Sequence, residues 1–518
     1  MQKRKNLLLL GVSALMCLTA CGGGGNGDVD RTLPDDLPTQ DTEIIFWHCL
    51  GHAKTTQLEK IVTAFNNEYK GSYHVKLVHL GGDYDSLHTS VKTKLSSGDV
   101  PALTMGYPDS FAEYITKDLV DASLLRLDSF INDPKFGYKK AEKDDFVPGY
   151  YNEGINYQFD GVWSMPMYKS TEVMYYNRSY FDGLNQQNKV KFANNEEFKA
   201  LASAVQDMTV EKYRPEMTDR KAASEEFGQK LTALRNWCAS HEGYVYTVPT
   251  KWDDMIALGK QMQRDRAAQN VVDEFYPIGY DSDANMFITQ FAQRGIPYTV
   301  NDDASKRDPQ KHFAFVNDQA KAFVGDVLQL VKDKVMVTKG SLGGTKYTND
   351  YFGEGKLVMT IGSTGGSSYN ISSNFQVELA PVPYAGDTPK YIQQGPSICF
   401  FNNDDDYIHK GAWLFYKMLA EPQANAALAL ENSYDPIRIS SYETDQYKKW
   451  IGNAGQGLKY DIPAITATLK NYYYTSPTFV GSGTARTEIG SLIKYTYLNN
   501  RTIDDAFAYA FGQCKAAA

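Results

Sequence analysis

The strongest constraint on the fold is an alternation of periods near the start of the chain. Glu43 to Trp47 is a short β-rich run, after which Leu58, Ile61, Val62, Phe65 and Tyr69 recur at helical spacing until Gly71 stops them. Thr56-Gln57-Leu58-Glu59 supplies a capping-box pattern for that helix. Tyr73 to His79 reads as a second strand, Tyr84 to Ser96 as a second helix and Ala102 to Met105 as a third strand. Strands that return through helices pair in parallel, and the helices cover both faces of the sheet, so the fold class is α/β. Later segments keep the same grammar. Thr250-Lys251-Trp252-Asp253 opens a helix, Asp318 to Lys334 is amphipathic through Phe323, Val327, Leu330 and Val331, and Leu357 to Ile361 is a strand. Ile408, Ala412, Phe415, Tyr416 and Leu419 form one apolar helix face that ends before Pro422.

At 518 residues the chain has room for two large domains, and 42% apolar with 22% charged residues allows large buried cores. Its beginning is an export signal. Lys3, Arg4 and Lys5 precede an apolar stretch from Leu7 to Ala20 that is too short to span a bilayer comfortably, so residues 1–20 read as a signal peptide. Leu18-Thr19-Ala20-Cys21 resembles the bacterial lipobox, which predicts lipidation at Cys21. Residues 21–41, rich in glycine, proline and aspartate, read as a flexible lipidated tether, and no later segment has 18 uninterrupted apolar residues. The folded body is therefore expected on the extracytoplasmic face of the cell envelope, anchored to the membrane through lipid. Loss of the leader takes the net charge from −9 to −12, a balance that disfavours nucleic acid as a partner. Cys49, Cys238, Cys399 and Cys514 have no metal-type spacing; export permits a disulfide among them without identifying a pair.

The chain carries no GxxxxGK[ST], HExxH or GxSxG pattern. His48 and His52 are four apart around Cys49, but Gly51 interrupts them directly after a strand, which favours a loop over a metal site. The acidic clusters at Asp35-Asp36, Asp144-Asp145 and Asp404-Asp405-Asp406 read as solvated loops. A better populated constellation is loops that combine rings, hydroxyls and glycines beside strand ends: Trp47 to Gly51, Gly106 to Asp109, and Ser363 to Ser368. Open α/β sheets place ligands at the carboxyl ends of their strands. Tyrosine outnumbers phenylalanine 36 to 25, and it offers both a ring face and a hydroxyl, the two contacts a sugar takes.

Several blocks then carry a family resemblance. Gly161-Val162-Trp163-Ser164-Met165-Pro166, followed by Ser170-Thr171-Glu172-Val173-Met174-Tyr175-Tyr176-Asn177, resembles the first interlobe crossing of the family 1 extracellular solute-binding proteins of ABC importers. Pro249-Thr250-Lys251-Trp252-Asp253, Phe352-Gly353-Glu354-Gly355-Lys356-Leu357-Val358-Met359 and Ala380-Pro381-Val382-Pro383 resemble later family blocks. So do Ala412-Trp413 with Glu421-Pro422, and Tyr434-Asp435-Pro436-Ile437-Arg438. The similarity runs over most of Glu43 to Gly512.

The resemblance implies a two-lobed clamshell, each lobe a mixed or parallel sheet flanked by helices, with crossings near Pro166, Tyr384 to Gln393, and Pro436. Lobe one would comprise 42–166 plus 394–435 and lobe two 167–393 plus 436–518. It implies a monomeric binder rather than an enzyme, without cofactor or metal, which closes on a sugar or related small molecule and presents it to a membrane permease. Within the family the chain resembles the oligosaccharide and glycerol-phosphate binders. The candidate ligand contacts are Trp47, His48, Asp85, Tyr107, Asp109, Ser170, Thr171, Ser363, Thr364, Gly395, Tyr434 and Arg486. Arg486 suits a phosphate because a guanidinium donates in a fork. The acidic segment Gly279-Tyr280-Asp281-Ser282-Asp283-Ala284-Asn285 lacks a tryptophan that such binders carry, and suits a neutral sugar better. The stretch 183–248 is long for the family, with charged helix-like runs around Glu225 to Arg235.

Overall fold

The computed structural model describes residues 32–115, 124–211, 229–230, 232–234, 236–238, 240–241, 247–344 and 346–518. The signal peptide, Cys21 and part of the run around Glu225 to Arg235 lie outside the described residues. The strands are β1 (Thr42–His48), β2 (Tyr73–His79), β3 (Leu103–Gly106), β4 (Met165–Pro166), β5 (Glu172–Asn177), β6 (Tyr276–Tyr280), β7 (Met336–Thr338), β8 (Leu357–Ser363), β9 (Val377–Pro381), β10 (Tyr391–Ile392), β11 (Ser397–Phe400) and β12 (Tyr473–Tyr474). They form two five-stranded sheets, ordered β2-β1-β3-β11-β4 and β7-β6-β8-β5-β9, and a small β10-β12 pair.

Both sheets are mixed, with one design. In the first, β1 runs parallel to β2 and β3, while β11, arriving from far along the chain, pairs antiparallel with β3 and β4. In the second, β6 runs parallel to β7 and β8, while β5 is antiparallel to β8 and β9. The strands joined through helices are the parallel ones, as crossover geometry requires. Each sheet has its own core. Phe46, Phe65, Trp413, Phe415 and Tyr416 pack on the first, and Met174, Ile278, Phe287, Phe291 and Met359 on the second. Each such side chain, fully buried, contributes roughly 1.5–3 kcal/mol.

The helix Asp406–Leu419 lies on the first sheet with Ala412, Phe415, Tyr416 and Leu419 buried, the face its sequence period predicts. It lies so close that a Cβ on Gly411 would stand 2.6 Å from Ile44 and 2.8 Å from Tyr73, so only glycine fits there. The first helix, Thr56–Glu68, begins one residue off its predicted cap. Its N-cap is Thr55, whose hydroxyl donates to Glu59 at 2.8 Å and to the His52 carbonyl at 2.9 Å, so the Thr56 capping box is not used. A turn of 3-10 helix over His52–Lys54 leads directly into this helix.

Part of the segment read as tether is docked. Leu33 is 4% exposed in the first core, and the buried Lys410 ammonium donates to the carbonyls of Pro34 (2.9 Å) and Asp36 (2.7 Å). A buried ammonium needs acceptors, and this backbone supplies them. The long stretch after β5 contains helices Arg178–Lys191 and Glu196–Glu211, with a separate small core of Phe198, Leu234, Trp237 and Cys238. Among the described residues no helix is long and apolar enough to cross a membrane. Cys49, Cys238, Cys399 and Cys514 are all free and buried.

Three chain segments connect the sheets and lie side by side. Ser170 and Gln394 exchange backbone hydrogen bonds of 2.9 and 2.7 Å, and Lys169 and Asp435 exchange bonds of 3.0 and 2.5 Å. Two buried charges stiffen this ribbon. Lys169 is ion-paired to Glu153 and donates to Ser397 at 2.9 Å. Asp435 accepts from Thr466 (2.5 Å), Tyr473 (2.9 Å) and Tyr150 (3.2 Å), drawing residues of both cores to one carboxylate.

Candidate functional site

The cleft between the lobes has two ends of different character. At one end the lobes touch. Lys54, just before the helix Thr56–Glu68, donates its ammonium to the Gly365 carbonyl at 2.9 Å, and Ser367 donates to Ser433 at 3.0 Å. Gly365 lies so close to Tyr434 that a Cβ would meet its hydroxyl at 2.6 Å. Between the ends sit paired tyrosines: Tyr84 with Tyr107, and Tyr168 with Tyr434, each pair with ring centroids 4.4 Å apart.

At the other end is a small cavity of about 50 Å³ that opens to solvent. One wall is Tyr107, Pro108, Asp109 and Glu153; the others come from Ile288, Tyr298 and Thr299, from the crossing segment Ile392, Gln393 and Gln394, and from Thr475 to Thr478, Ser482 and Arg486. Strand ends and chain crossings therefore supply most of the lining, because a strand that stops leaves its next side chains over the cleft.

The polar groups of this cavity differ in how far they are committed. Arg486 donates through Nη2 to the Asn285 side-chain oxygen. Asn285 in turn donates to Glu172 Oε1 at 2.8 Å, and Tyr280 donates to Glu172 Oε2 at 2.7 Å. Burial raises the Glu172 carboxyl to about 7, against the pull of those two hydrogen bonds. Burial likewise raises Asp109, opposed by Arg486 and a hydrogen bond from Ser482. By contrast Gln393, Gln394 and Thr299 are lining residues whose Nε2, Oε1 and Oγ1 atoms are buried and have no hydrogen-bond partner among the described residues. They comprise a donor, an acceptor and a hydroxyl that can be either.

Of the residues singled out from sequence, the structure brings Tyr107, Asp109 and Arg486 together at this cavity. Ser363, Gly395 and Tyr434 stand nearby at the cleft and its hinge. Ser363 accepts from Gly365 N–H at 3.2 Å, and Gly395, at φ +94°, lies so close to the first crossing that a Cβ there would stand 2.7 Å from the Tyr168 carbonyl oxygen. Others are elsewhere or already engaged. Trp47 is 2% exposed, on the inward side of β1 under Lys94, so it offers no ring face to a sugar. His48 accepts from Leu50 N–H at 3.2 Å, and burial pushes its ring down to about 4, so it is a neutral packed imidazole. Ser170 pairs in the hinge ribbon through its backbone, and the Thr171 hydroxyl donates to the Ile392 carbonyl at 2.8 Å. Thr364 is fully buried, and Asp85 is exposed on the first turn of helix Tyr84–Ser96. In the acidic segment Asp283 is consumed internally by Thr338 and Gly340, each at 2.7 Å.

Sequence reasoning missed Glu153, Glu172, Asn285, Tyr298, Thr299, Gln393, Gln394 and Ser482. One signal was available: Tyr472-Tyr473-Tyr474-Thr475-Ser476-Pro477-Thr478 is the same mixture of rings and hydroxyls that marked the other loops. Among the described residues no group of three His, Cys, Asp or Glu could hold a metal ion.

Two lobes on a three-segment hinge with a polar cavity between them define a solute-binding architecture. The family comparison agrees: residues 60–455 match the model for bacterial extracellular solute-binding proteins, and the chain belongs to that family. No curated protein matches the sequence. Solved structures of similar fold include a binding protein for cyclic α-maltosyl-1,6-maltose from Arthrobacter globiformis (14% identity, TM-score 0.60, 92% of this chain and 99% of that one). Others are UgpB from Mycobacterium tuberculosis with glycerophosphocholine (15%, 0.64, 92% and 98%) and Lmo0181 from Listeria monocytogenes with cycloalternan (14%, 0.63, 92% and 98%).

Proposed function

We propose that this protein captures a carbohydrate between its lobes by hinge closure and delivers it to the permease of an ABC importer, as a monomer anchored through lipid on Cys21. Lobe one is taken as 42–166 plus 394–435 and lobe two as 167–393 plus 436–518, a division supported by the separate cores. The observation that carries the sugar reading is the set of uncommitted neutral groups in the cavity: Gln393 Nε2, Gln394 Oε1 and Thr299 Oγ1. A sugar hydroxyl both donates and accepts, so one that reached these groups as the cleft moves would satisfy each of them, and the half-buried Tyr107 ring offers an apolar face. Arg486 is held to Asn285 and faces Asp109 and Glu153 across the cavity, which lowers its value as an anion site. Ligand contacts to both lobes favour the closed state, and no covalent step is needed.

A second reading, a glycerophosphodiester, is favoured by the presence of a guanidinium in the cavity wall and by the ligand of one similarly folded protein. Thermal unfolding of the chain beginning after Cys21 separates the two, across mono-, di- and oligosaccharides, polyols and glycerophosphodiesters. A ligand at 100 times its Kd stabilises the folded state by about 2.7 kcal/mol. A shift with a neutral sugar supports the proposal. A shift with glycerophosphocholine alone selects the second reading, and consumption of the sugar during the assay would indicate an enzyme instead.

A further inference from the structure

The residues around Arg486 form a chain whose polarity is determined at both ends. Glu172 begins β5 directly after the hinge and is 2% exposed. Both its oxygens are occupied, Oε1 by the Asn285 amide at 2.8 Å and Oε2 by the Tyr280 hydroxyl at 2.7 Å. Asn285 donates from Nδ2 to the Glu172 carboxyl, whose Oε1 accepts at 2.8 Å. A guanidinium only donates, so the Oδ1 end must face Arg486, as observed. Reversing the amide would oppose two donors at the Arg486 end, and two acceptors at the Glu172 end whenever that carboxyl is ionised. The backbone supports the arrangement. Asn285 sits in the first turn of helix Asp283–Arg294, capped by Ser282, and Gly490 of helix Ser482–Gly490 allows the two helices to touch: a Cβ there would lie 3.0 Å from Ala284. Arg486 is thus presented to the cavity by a helix packed on the one that carries Asn285.

We infer that Glu172 and Asn285 are positioning residues for the ligand site: Glu172 sets the orientation of the Asn285 amide, whose oxygen holds the Arg486 guanidinium at the cavity wall without either residue lining the cavity. The inference rests on the reading of this cavity as the ligand site. It identifies a specificity device in which an arginine is held in place by an amide behind it and is left to donate to oxygen atoms of a sugar.

The test has a ligand-free arm and a ligand arm. In the first, the side-chain Nε–Hε resonance of Arg486, assigned through Arg486→Lys, reports whether the guanidinium is ordered in the unliganded protein. Wild type and Glu172→Gln, which keeps an acceptor oxygen toward Asn285, should show an ordered resonance, and Glu172→Leu and Asn285→Ala should lose it. If the leucine variant fails to fold by circular dichroism, Asn285→Ala decides this arm, since it needs no new space. An unchanged Arg486 resonance in a folded Asn285→Ala protein overturns the inference. In the second arm maltotriose is the probe. Glu172→Leu should weaken binding roughly tenfold or more, and Glu172→Gln less than about threefold, while in an Arg486→Ala background the leucine change should add less than about twofold. Additive losses would mean Glu172 acts independently of Arg486, which also overturns it. Collapse of the Arg486 resonance together with no binding of any sugar by wild type would support the positioning role and reject the carbohydrate reading, so the two failures are distinct.

Discussion

Glu172 is a carboxylic acid where ionisation is costly, and the sign of its effect on stability can be worked out. Its ordinary value is 4.5 and burial raises it to about 7; Tyr280, Asn285 and Arg486 favour the charged form, and Asp281 opposes it. Burial also lifts Asp281 and Asp283 to about 6. Between these values the unfolded chain has released protons that the folded chain retains, so stability falls as pH rises. The contribution is complete below the unfolded values and lost as pH passes through the folded ones. Urea unfolding of the unliganded protein should therefore give a smaller free energy at about pH 7.5 than at about pH 5, with a shallower fall in Glu172→Gln. Identical slopes for the two proteins would show that Glu172 is ionised throughout. Residues like this one are hard to see in a sequence. Glu172 lies within the Ser170 to Asn177 block, but its burial depends on β8 and β9 flanking β5, which local pattern does not reveal.

The turn Thr364–Tyr369 and the segment His52–Lys54 meet across the cleft. Lys54 reaches from one lobe to the Gly365 carbonyl of the other, and desolvation lowers its ammonium from the ordinary range, the cost of lying between closed lobes. If opening the cleft breaks this bond, it adds to the free energy of closure rather than to folding. Lys54→Met should accordingly weaken ligand affinity by about tenfold, the equivalent of one charged hydrogen bond, with little change in the unfolding midpoint. Small-angle scattering of the unliganded variant should show a larger radius of gyration than wild type; equal radii and equal affinities would remove this contact from the mechanism. Most elements themselves were legible from sequence. The strand Leu357–Ser363 and the helices Asp318–Lys332 and Asp406–Leu419 fall within a few residues of their periodic patterns, because each has one buried face and a polar or breaking residue at its end. The small core around Phe198 and Trp237 had no such signal, since its partners are separated by about forty residues of mixed charge.

At the scale of the whole molecule the second sheet is built from one continuous piece of chain, Glu172 to Pro381, whereas the first is not. β11 lies between β3 and β4 in the first sheet although more than 200 residues separate it from either. A chain ended at Gln393 would lack β11 and the helix Asp406–Leu419, leaving the edge of β3 and the aromatic core around Phe46 and Phe65 uncovered. That truncated protein should be insoluble or, if soluble, should lack the cooperative near-ultraviolet unfolding transition of the full chain. A native-like transition would show that the first lobe folds without its distal strand. The three crossings are bound to one another through Ser170, Gln394, Lys169 and Asp435, so any movement of one lobe against the other must bend a ribbon rather than a single strand.

The sequence by itself determined the alternation of parallel strands and helices, the apolar faces, the expectation of export, and the order of family blocks, because each depends on residues close together in the chain. Only the tertiary structure decided which of the marked residues face the cleft. Trp47 and Tyr107 follow similar strand patterns, yet one is sealed beneath Lys94 and the other lines a cavity with Arg486, nearly 400 residues away. Side-chain exposure at a strand end depends on what the rest of the chain packs against it, and the Gln393, Gln394 and Thr299 groups gain their meaning only when the hinge brings them to one space.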